Sequence, residues 1–373
     1  MLALSCDIVT VITVDTAIVI TDDIISVTTS DKVIVMTVDN VIVNTINIVI
    51  DITGDIVIVI IIDIFIVNTI DIAIVITLKK FRNIPYIIIS VGGEVPGEDR
   101  SSPFQDVLRY CMDSHKFEVE ALTDLSEVHT SPGLDIGYKI SVKGKDIIFT
   151  GGETKFGKNT WIIDVWKYDT FSHQWEVITK LQNVRRHHGM CIMGDCIYLI
   201  GGFGKYRMKL DSVEMFNCKT GKWSTLASLP EPAFSLAATV CNGKIYAIKS
   251  RVYCYDPQED RWKIDNGDPP PFICSDALTY GQYIYLPSRY CSRLTRYDTT
   301  SNTFEEVGVF PHSKGAGSSV ICDGKIYRVG ISEFKAFMEW YDIEKDIFNS
   351  AQELDLFLLN NNLVSVPYIK DFR

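Results

Sequence analysis

The first 78 residues contain no Arg, no Glu and no Pro, and only one Lys (Lys32) and one Gly (Gly54). Their ten Asp give this segment a net charge of −9, out of −11 for the whole chain of 373 residues. Residues 79–373 therefore carry only −2. Because this main body has no excess of basic residues, it lacks the electrostatic signature of a nucleic-acid-binding protein, and we predict no nucleic-acid partner.

Paired cysteine motifs and a secretory signal are also missing. The ten Cys form no CxxC pair, and most lie inside apolar runs such as GMCIMG and ATVCNG, which is typical of buried thiols rather than of a disulfide framework. The N-terminal MLALSCD has no basic segment and reaches Asp7 too early for a signal peptide. We therefore expect a cytoplasmic protein.

Residues 7–78 repeat with a period of eight, roughly D-I-V-I-V-I-T-V. Three interpretations compete: a transmembrane helix, a β-repeat, and a tandem DNA repeat of a 24-base unit carried into the translated chain. Every window of about 20 residues contains at least two Asp, which opposes a membrane span. A β-repeat needs turn residues in every row, and this segment lacks them. We favour the third interpretation, base no functional prediction on this leader, and predict no membrane partner.

A different repeat fills residues 85–373. An aromatic residue is followed seven positions later by another aromatic residue six times, with a polar turn such as DTFSHQ or NCKTGK between them, which predicts a β-hairpin. A second hairpin precedes this one, and its tight turn carries Gly because such turns demand positive φ. The repeated positions are the Gly pairs and the Trp residues: Gly92, Gly93, Gly151, Gly152, Gly201, Gly202, Trp175, Trp223 and Trp262. Four strands in each unit predict a β-propeller.

The segment CIYLIGG…VEMFNCKTGKW (196–223) resembles the kelch repeat family, through its Gly pair, its Tyr and its Trp. Copies four to six depart from the family pattern, with Lys249–Ser250, Ser288–Arg289 and Gly330–Ile331 in place of the Gly pair. The predicted fold is all-β: a low-complexity, β-prone octad leader (1–78), a basic linker (79–84) and a six-bladed kelch β-propeller (85–373). The predicted blades are 85–130, 138–183, 187–231, 233–269, 272–311 and 314–358. We expect LVSVPY (363–368) to pair with YIIISVGG (86–93) and close the ring.

Catalytic and metal-binding patterns are sparse. His187 and His188 are adjacent on a predicted strand and point to opposite faces, and the other His are scattered, so we predict no metal site. No GxSxG motif and no Cys in a catalytic context occur, and although some kelch-type propellers are copper enzymes, nothing specifies such a site here. We therefore predict neither a cofactor nor an enzyme activity.

Basic and Tyr residues cluster in the connections within and between blades, which propeller topology brings to one face. Single residues of this kind are ordinary solvated loop residues more often than anchors, but a ring of Arg and Tyr is typical of a surface that binds an acidic peptide or loop. The predicted protein-binding rim comprises Arg185, Arg186, His187, Lys205, Tyr206, Arg207, Arg251, Arg289, Tyr290, Arg293 and Lys314, with Lys155 and Lys158 in a further loop.

The kelch resemblance implies a protein-binding module. Propellers of this type follow BTB and BACK domains in kelch-like adaptors, where the propeller captures a substrate and the BTB domain recruits a cullin ubiquitin ligase. No helical segment precedes residue 79, so we expect the cullin partner only if a BTB domain is supplied elsewhere. The alternatives are a cytoskeletal, actin-associated or scaffold propeller and, third, a propeller enzyme.

Overall fold

The computed structural model describes residues 9–367 with short gaps. The gaps are 14–15, 22–23, 30–32, 38–44, 54–55, 69–70, 83–85, 92–106, 112–115, 120–136, 154–159, 173, 266–268, 275, 313, 333–334 and 355–361. The chain divides into two compact units, Met1–Pro85 and Tyr86–Arg373. In the described part of the chain, no helix has the length and apolar character needed to cross a bilayer.

The first unit consists of antiparallel strands, as expected for a tract of Ile, Val and Thr, whose stiff β-branched side chains favour extended backbone. The described residues of this unit form seven strands: β1 (Val9–Thr13), β2 (Thr16–Thr21), β3 (Ile24–Thr29), β4 (Val33–Thr37), β5 (Thr45–Thr53), β6 (Ile56–Asn68) and β7 (Asp71–Arg82). The first four strands form one sheet in chain order, and the last three form another.

Among its described residues, the second unit contains five blades, each an antiparallel sheet of four consecutive strands. Blade A comprises β11 (Lys139–Lys143), β12 (Asp146–Thr150), β13 (Asp164–Asp169) and β14 (Gln174–Lys180). Blade B comprises β15 (Gly189–Met193), β16 (Cys196–Phe203), β17 (Lys209–Asn217) and β18 (Lys222–Leu226). Blade C comprises β19 (Ala237–Cys241), β20 (Lys244–Ile248), β21 (Val252–Asp256) and β22 (Arg261–Ile264). Blade D comprises β23 (Leu278–Tyr280), β24 (Tyr283–Pro287), β25 (Arg293–Asp298) and β26 (Thr303–Val309). Blade E comprises β27 (Gly315–Cys322), β28 (Lys325–Ser332), β29 (Lys335–Asp342) and β30 (Ile347–Leu354).

A further four-stranded sheet, the closing sheet, joins both ends of this unit. Its strands are β8 (Tyr86–Val91), β9 (Val107–Cys111), β10 (Lys116–Val119) and β31 (Asn362–Pro367), in the order β10-β9-β8-β31. The predicted pairing of the C-terminal strand with the first strand of the unit is confirmed, with Val364 opposite Ile89. The prediction of six like blades is corrected, because five blades consist of consecutive strands and the sheet at 86–119 takes its fourth strand from the C-terminus.

The third and fourth strands of each blade form its outer hairpin, and the first and second strands form its inner hairpin. In the outer hairpin, the two aromatic residues that are seven positions apart lie opposite each other, as predicted. Phe216 lies opposite Trp223 and Tyr255 opposite Trp262, with ring centroids 5.1 Å apart in both pairs. The turn between such strands begins with an Asp or Asn whose side chain accepts backbone N–H bonds. Asn217, for example, accepts from Lys219 and Thr220 at 3.0 and 2.9 Å. This Asx turn explains why an Asp or Asn recurs directly after the first aromatic residue of each pair.

The core lies between neighbouring blades. Tyr198 and Ile200 of blade B pack in one buried cluster with Tyr253, Tyr255 and Trp262 of blade C. The Trp side chains also cross between blades through their ring N–H groups. Trp262 Nε1 donates to the Ala227 carbonyl at 2.9 Å, and Trp223 Nε1 donates to Thr179 Oγ1 at 3.1 Å. Each blade therefore buries its apolar faces only in contact with its neighbours.

Candidate protein-binding face

Two kinds of connection lie side by side on one face of the second unit, which we call the loop face. One kind joins the second and third strands of a blade, and the other joins one blade to the next. Backbone hydrogen bonds tie them together: Gly152 N donates to the Arg185 carbonyl at 2.9 Å, and Gly202 N donates to the Ala233 carbonyl at 2.8 Å. The opposite face, the turn face, carries the two hairpin turns of each blade. The loop face is therefore a continuous surface assembled from segments distant in sequence.

The Gly pairs of the repeat hold this face together because no side chain fits where they lie. Gly201 and Gly202 have φ of +56° and +102°, and a Cβ on Gly201 would lie 2.5 Å from the Ala233 carbonyl oxygen. A Cβ on Gly151 would lie 2.4 Å from the Arg185 carbonyl oxygen. Steric crowding thus explains the structural role predicted for Gly151, Gly201 and Gly202. The first pair, Gly92–Gly93, lies outside the described residues.

Arg185 was predicted to be a rim residue, but its side chain is completely buried. Its guanidinium lies 2.7 Å from the equally buried Glu214 carboxylate and donates to the Gly201 and Ser212 carbonyls at 3.1 and 3.2 Å. Burial lowers the pKa of Arg185, and the charge of Glu214 opposes that shift. Arg185 therefore bonds blade B internally and cannot contact a partner, because its charge is already compensated beneath the surface.

Arg186 and His187 also differ from the prediction. Arg186 is 3% exposed, lies 3.5 Å from the Glu153 carboxylate and stacks over the Phe203 ring. His187 is half-buried, and burial, together with the positive charges of Arg186 and Lys139, lowers its pKa to about 4. It is therefore uncharged at neutral pH. These two residues position the connection into blade B rather than forming an exposed basic anchor.

The other predicted rim residues of the described chain are exposed on the loop face: Lys205, Tyr206, Arg207, Arg251, Arg289, Tyr290, Arg293 and Lys314. Tyr206 and Tyr290 are 82% and 69% exposed. Among the described residues, Arg251 and Arg293 form long ion pairs, to Glu231 at 3.7 Å and to Glu306 at 3.9 Å. Lys155 and Lys158 lie outside the described residues. The exposed part of the predicted rim therefore excludes Arg185, Arg186 and His187.

No pattern in the amino-acid sequence indicates one cluster on this face. Phe203 of blade B and Phe234 of the next connection stack with ring centroids 4.2 Å apart, and Lys209 and Lys249 lie over the Phe234 ring. Lys249 stands where the repeat has the first Gly of its pair. This departure is visible in the sequence, but it does not predict that Lys249 contacts the Phe234 ring. The four residues come from three separate segments, so only the tertiary structure brings them together.

A family model described as the Kelch motif matches residues 185–230. This range contains all four strands of blade B and the connection that leads into it. The chain contains a kelch motif, and that motif forms one blade of a β-propeller.

Curated relatives extend the similarity over more of the chain. Kelch-like protein 35 of Mus musculus is 29% identical over 178 residues, which are 45% of this chain and 30% of that protein. Kelch-like protein 25 of Xenopus tropicalis is 25% identical over 254 residues, 62% of this chain and 42% of that protein. Beta-scruin of Limulus polyphemus is 24% identical over 224 residues, 52% of this chain and 24% of that protein. The chain therefore spans less than half the length of each of these relatives.

The turn face of the kelch propeller differs from the loop face in how its charges are matched. Lys143 pairs with Asp195 at 2.9 Å, Lys244 with Asp256 at 3.1 Å and Lys345 with Asp342 at 3.1 Å. Several of these Asp side chains also accept backbone N–H bonds of the hairpin turns, so their position is fixed by the repeat itself. Three Lys charges of the turn face are thus matched by carboxylates within the propeller.

A central channel of about 400 Å³ runs between the first strands of the five blades and β31. Lys139 and Asp276 lie on its wall, and Asp276 accepts a hydrogen bond of 2.8 Å from the Ser319 backbone N–H. Burial lowers the pKa of Lys139, and Asp276 opposes the shift. Within the described ranges, no group of three His, Cys, Asp or Glu side chains is arranged to hold a metal ion.

Proposed function

We propose that the kelch propeller is a non-catalytic, cytoplasmic protein-binding module whose partner docks on the loop face. The observation that carries the proposal is the asymmetry between the two faces. The loop face exposes Arg, Lys and Tyr from several connections, and these are the residue types enriched at protein-binding hot spots. On the turn face, Lys143, Lys244 and Lys345 pair with Asp at 2.9 to 3.1 Å. A partner of acidic character suits the loop face best because its carboxylates would compensate those charges.

Within this class, we propose that the propeller recognises substrates for a kelch-like cullin ubiquitin ligase adaptor. The similarity to kelch-like proteins 35 and 25 supports this choice. In such an adaptor the BTB domain recruits the cullin, so this role requires a BTB domain joined to the propeller or supplied by another chain. Co-purification of a cullin with the full chain from cells tests the assignment.

The similarity to beta-scruin supports a second candidate, a cytoskeletal or scaffold propeller. Co-sedimentation of the purified full chain with actin filaments distinguishes the two. Sedimentation with filaments and no cullin in the cellular complex would favour the scaffold role.

Cross-linking of the full chain to its cellular partners, followed by mass spectrometry, tests the binding face itself. Both faces offer exposed Lys residues at comparable positions, so the molecule contains its own control. We expect cross-links to partners from Lys205, Lys209 and Lys314 of the loop face. We expect few from Lys219, Lys222 and Lys345 of the turn face. Partner cross-links that fall equally on both faces, or mainly on the turn face, would contradict the proposal.

A further inference from the structure

The cluster at the junction of blades B and C forms an exposed surface away from the central channel, which we call the Phe patch. Its base consists of Phe203, Phe234, Lys209 and Lys249, and its rim consists of Tyr206 and Met208. Phe203 ends β16 and lies opposite Lys209, the first residue of β17. Phe234 comes from the connection between the two blades and stacks on Phe203. The patch is thus anchored to two blades at once.

The base of the patch holds two positive charges close together. Lys249 Nζ lies 3.3 Å from the centroid of the Phe234 ring, and Lys209 Nζ lies 5.5 Å from the same centroid. Burial, and next the charge of Lys209, lower the pKa of Lys249. Among the described residues, neither ammonium has an ion pair with a carboxylate. Glu231, in the same connection as Phe234, already accepts from the Tyr253 hydroxyl and lies 3.7 Å from Arg251.

The rim of the patch presents apolar surface to solvent. Tyr206 is 82% exposed and Met208 is 64% exposed, although both are large hydrophobic side chains. The short loop that carries them is held closed by Gly204 N, which donates to the Met208 carbonyl at 2.9 Å. Tyr206 and Arg207 both have positive φ, of 57° and 58°, an arrangement that non-Gly residues adopt rarely and that often accompanies function.

We propose that the Phe patch is a docking site for an acidic segment of a partner protein in which carboxylates flank a bulky apolar side chain. The carboxylates would bind Lys209 and Lys249 and relieve the repulsion between the two ammonium groups. The apolar side chain would pack on Tyr206 and Met208. Charge complementarity selects this occupant because no carboxylate of the described residues pairs with the two cations at the base of the patch. The proposal deepens the proposed function, on which it rests, by locating the acidic contact off the channel axis.

Binding of labelled peptides to the full chain, measured by fluorescence anisotropy at low ionic strength, tests this site. The probe is a short peptide with Asp and Glu flanking a central Phe-Leu pair. A second probe carries Asn and Gln in place of the acidic residues, and a third carries phosphoserines in their place. We expect the acidic probe to bind at least about tenfold more tightly than the amide probe.

The double variant Lys209→Glu, Lys249→Glu should lose at least about tenfold in affinity for the acidic probe. The matched control, Lys219→Glu with Lys222→Glu, makes the same charge change on the turn face of blade B and should leave the affinity unchanged. Tyr206→Asn tests the rim separately, because Asn tolerates positive φ and so removes the ring without straining the loop. Thermal unfolding of each variant verifies that it folds.

Each outcome distinguishes this inference from the proposed function. Equal binding by the double variant and its turn-face control would overturn the Phe patch as the site, while loop-face cross-links to partners would leave the proposed function standing. Tight binding of the phosphoserine probe alone would overturn the carboxylate ligand. Self-association of the chain that the double variant abolishes, seen by sedimentation, would show that a second copy occupies the patch. Loss of both peptide binding and loop-face cross-links would remove both proposals.

Discussion

Arg185 and Arg207 are both basic residues of the connections on the loop face, yet their environments differ completely. Arg185 is 0% exposed and bonded to Glu214, whereas Arg207 is exposed beside Tyr206. A buried charge is stable only when an opposite charge and hydrogen bonds replace the water it loses. Glu214 and the carbonyls of Gly201 and Ser212 supply that replacement, so Arg185 acts as an internal cross-link of blade B.

Replacing Glu214 by Gln should lower the free energy of unfolding by about 3–5 kcal/mol, because the guanidinium of Arg185 would stay buried without a counter-charge. Urea denaturation of the purified chain measures this change. Lys205→Gln, an exposed charge change on the same face, should stay within about 0.5 kcal/mol of the wild type. A loss below about 1 kcal/mol for Glu214→Gln would show that the ion pair is dispensable.

At the scale of the element, each blade consists of two hairpins with different tasks. The outer hairpin carries the opposed aromatic pair and its Asx turn, and its Trp contacts the preceding blade. In blades A and B the inner hairpin ends in the Gly pair, where the chain passes close to the following connection. Local sequence alone therefore forms the hairpins, while the Gly pair lets neighbouring segments approach closely.

Two Gly→Ala substitutions in blade B separate backbone conformation from close approach. Gly194 and Gly201 have nearly equal φ, +58° and +56°, but a Cβ on Gly194 meets nothing within 4 Å. Gly194→Ala should cost about 1–2 kcal/mol for the left-handed conformation alone. Gly201→Ala should cost at least about 3 kcal/mol, because the Ala233 carbonyl must also move. Equal losses in denaturant titrations would contradict the role of close packing at the Gly pair.

At the scale of the whole molecule, the closing sheet unites the two ends of the propeller. Strand β31 pairs with β8 and also lies against β11 and β27, the first strands of blades A and E. Val366 and Leu363 are 0% and 5% exposed. The C-terminal strand is therefore part of the core between the first and last blades, and it covers a sheet edge that would otherwise be open.

Ending the chain after Leu354 should lower the midpoint of thermal unfolding by about 10 °C or more, because β8, β11 and β27 lose a buried neighbour. Circular dichroism at the β-sheet minimum records the transition. A chain ending after Pro367 keeps β31 and should unfold at the wild-type temperature. If both truncated chains unfold at the same temperature, ring closure by this strand does not stabilise the propeller.

The amino-acid sequence determined the blades because their signals are local. An aromatic spacing of seven, an Asx turn and a Gly at the hairpin turn together fix the strand register within each hairpin, and Tyr168 and Trp175 lie opposite each other as that spacing predicts. Even the pairing of β31 with β8 followed from counting strands. The tertiary structure alone decided which cations face solvent. Arg185 and Arg186 meet Glu214 and Glu153 across segments about 30 residues apart, and Phe203, Phe234 and Lys249 meet across two blades. Burial and charge pairing depend on such distant neighbours, which no local pattern encodes.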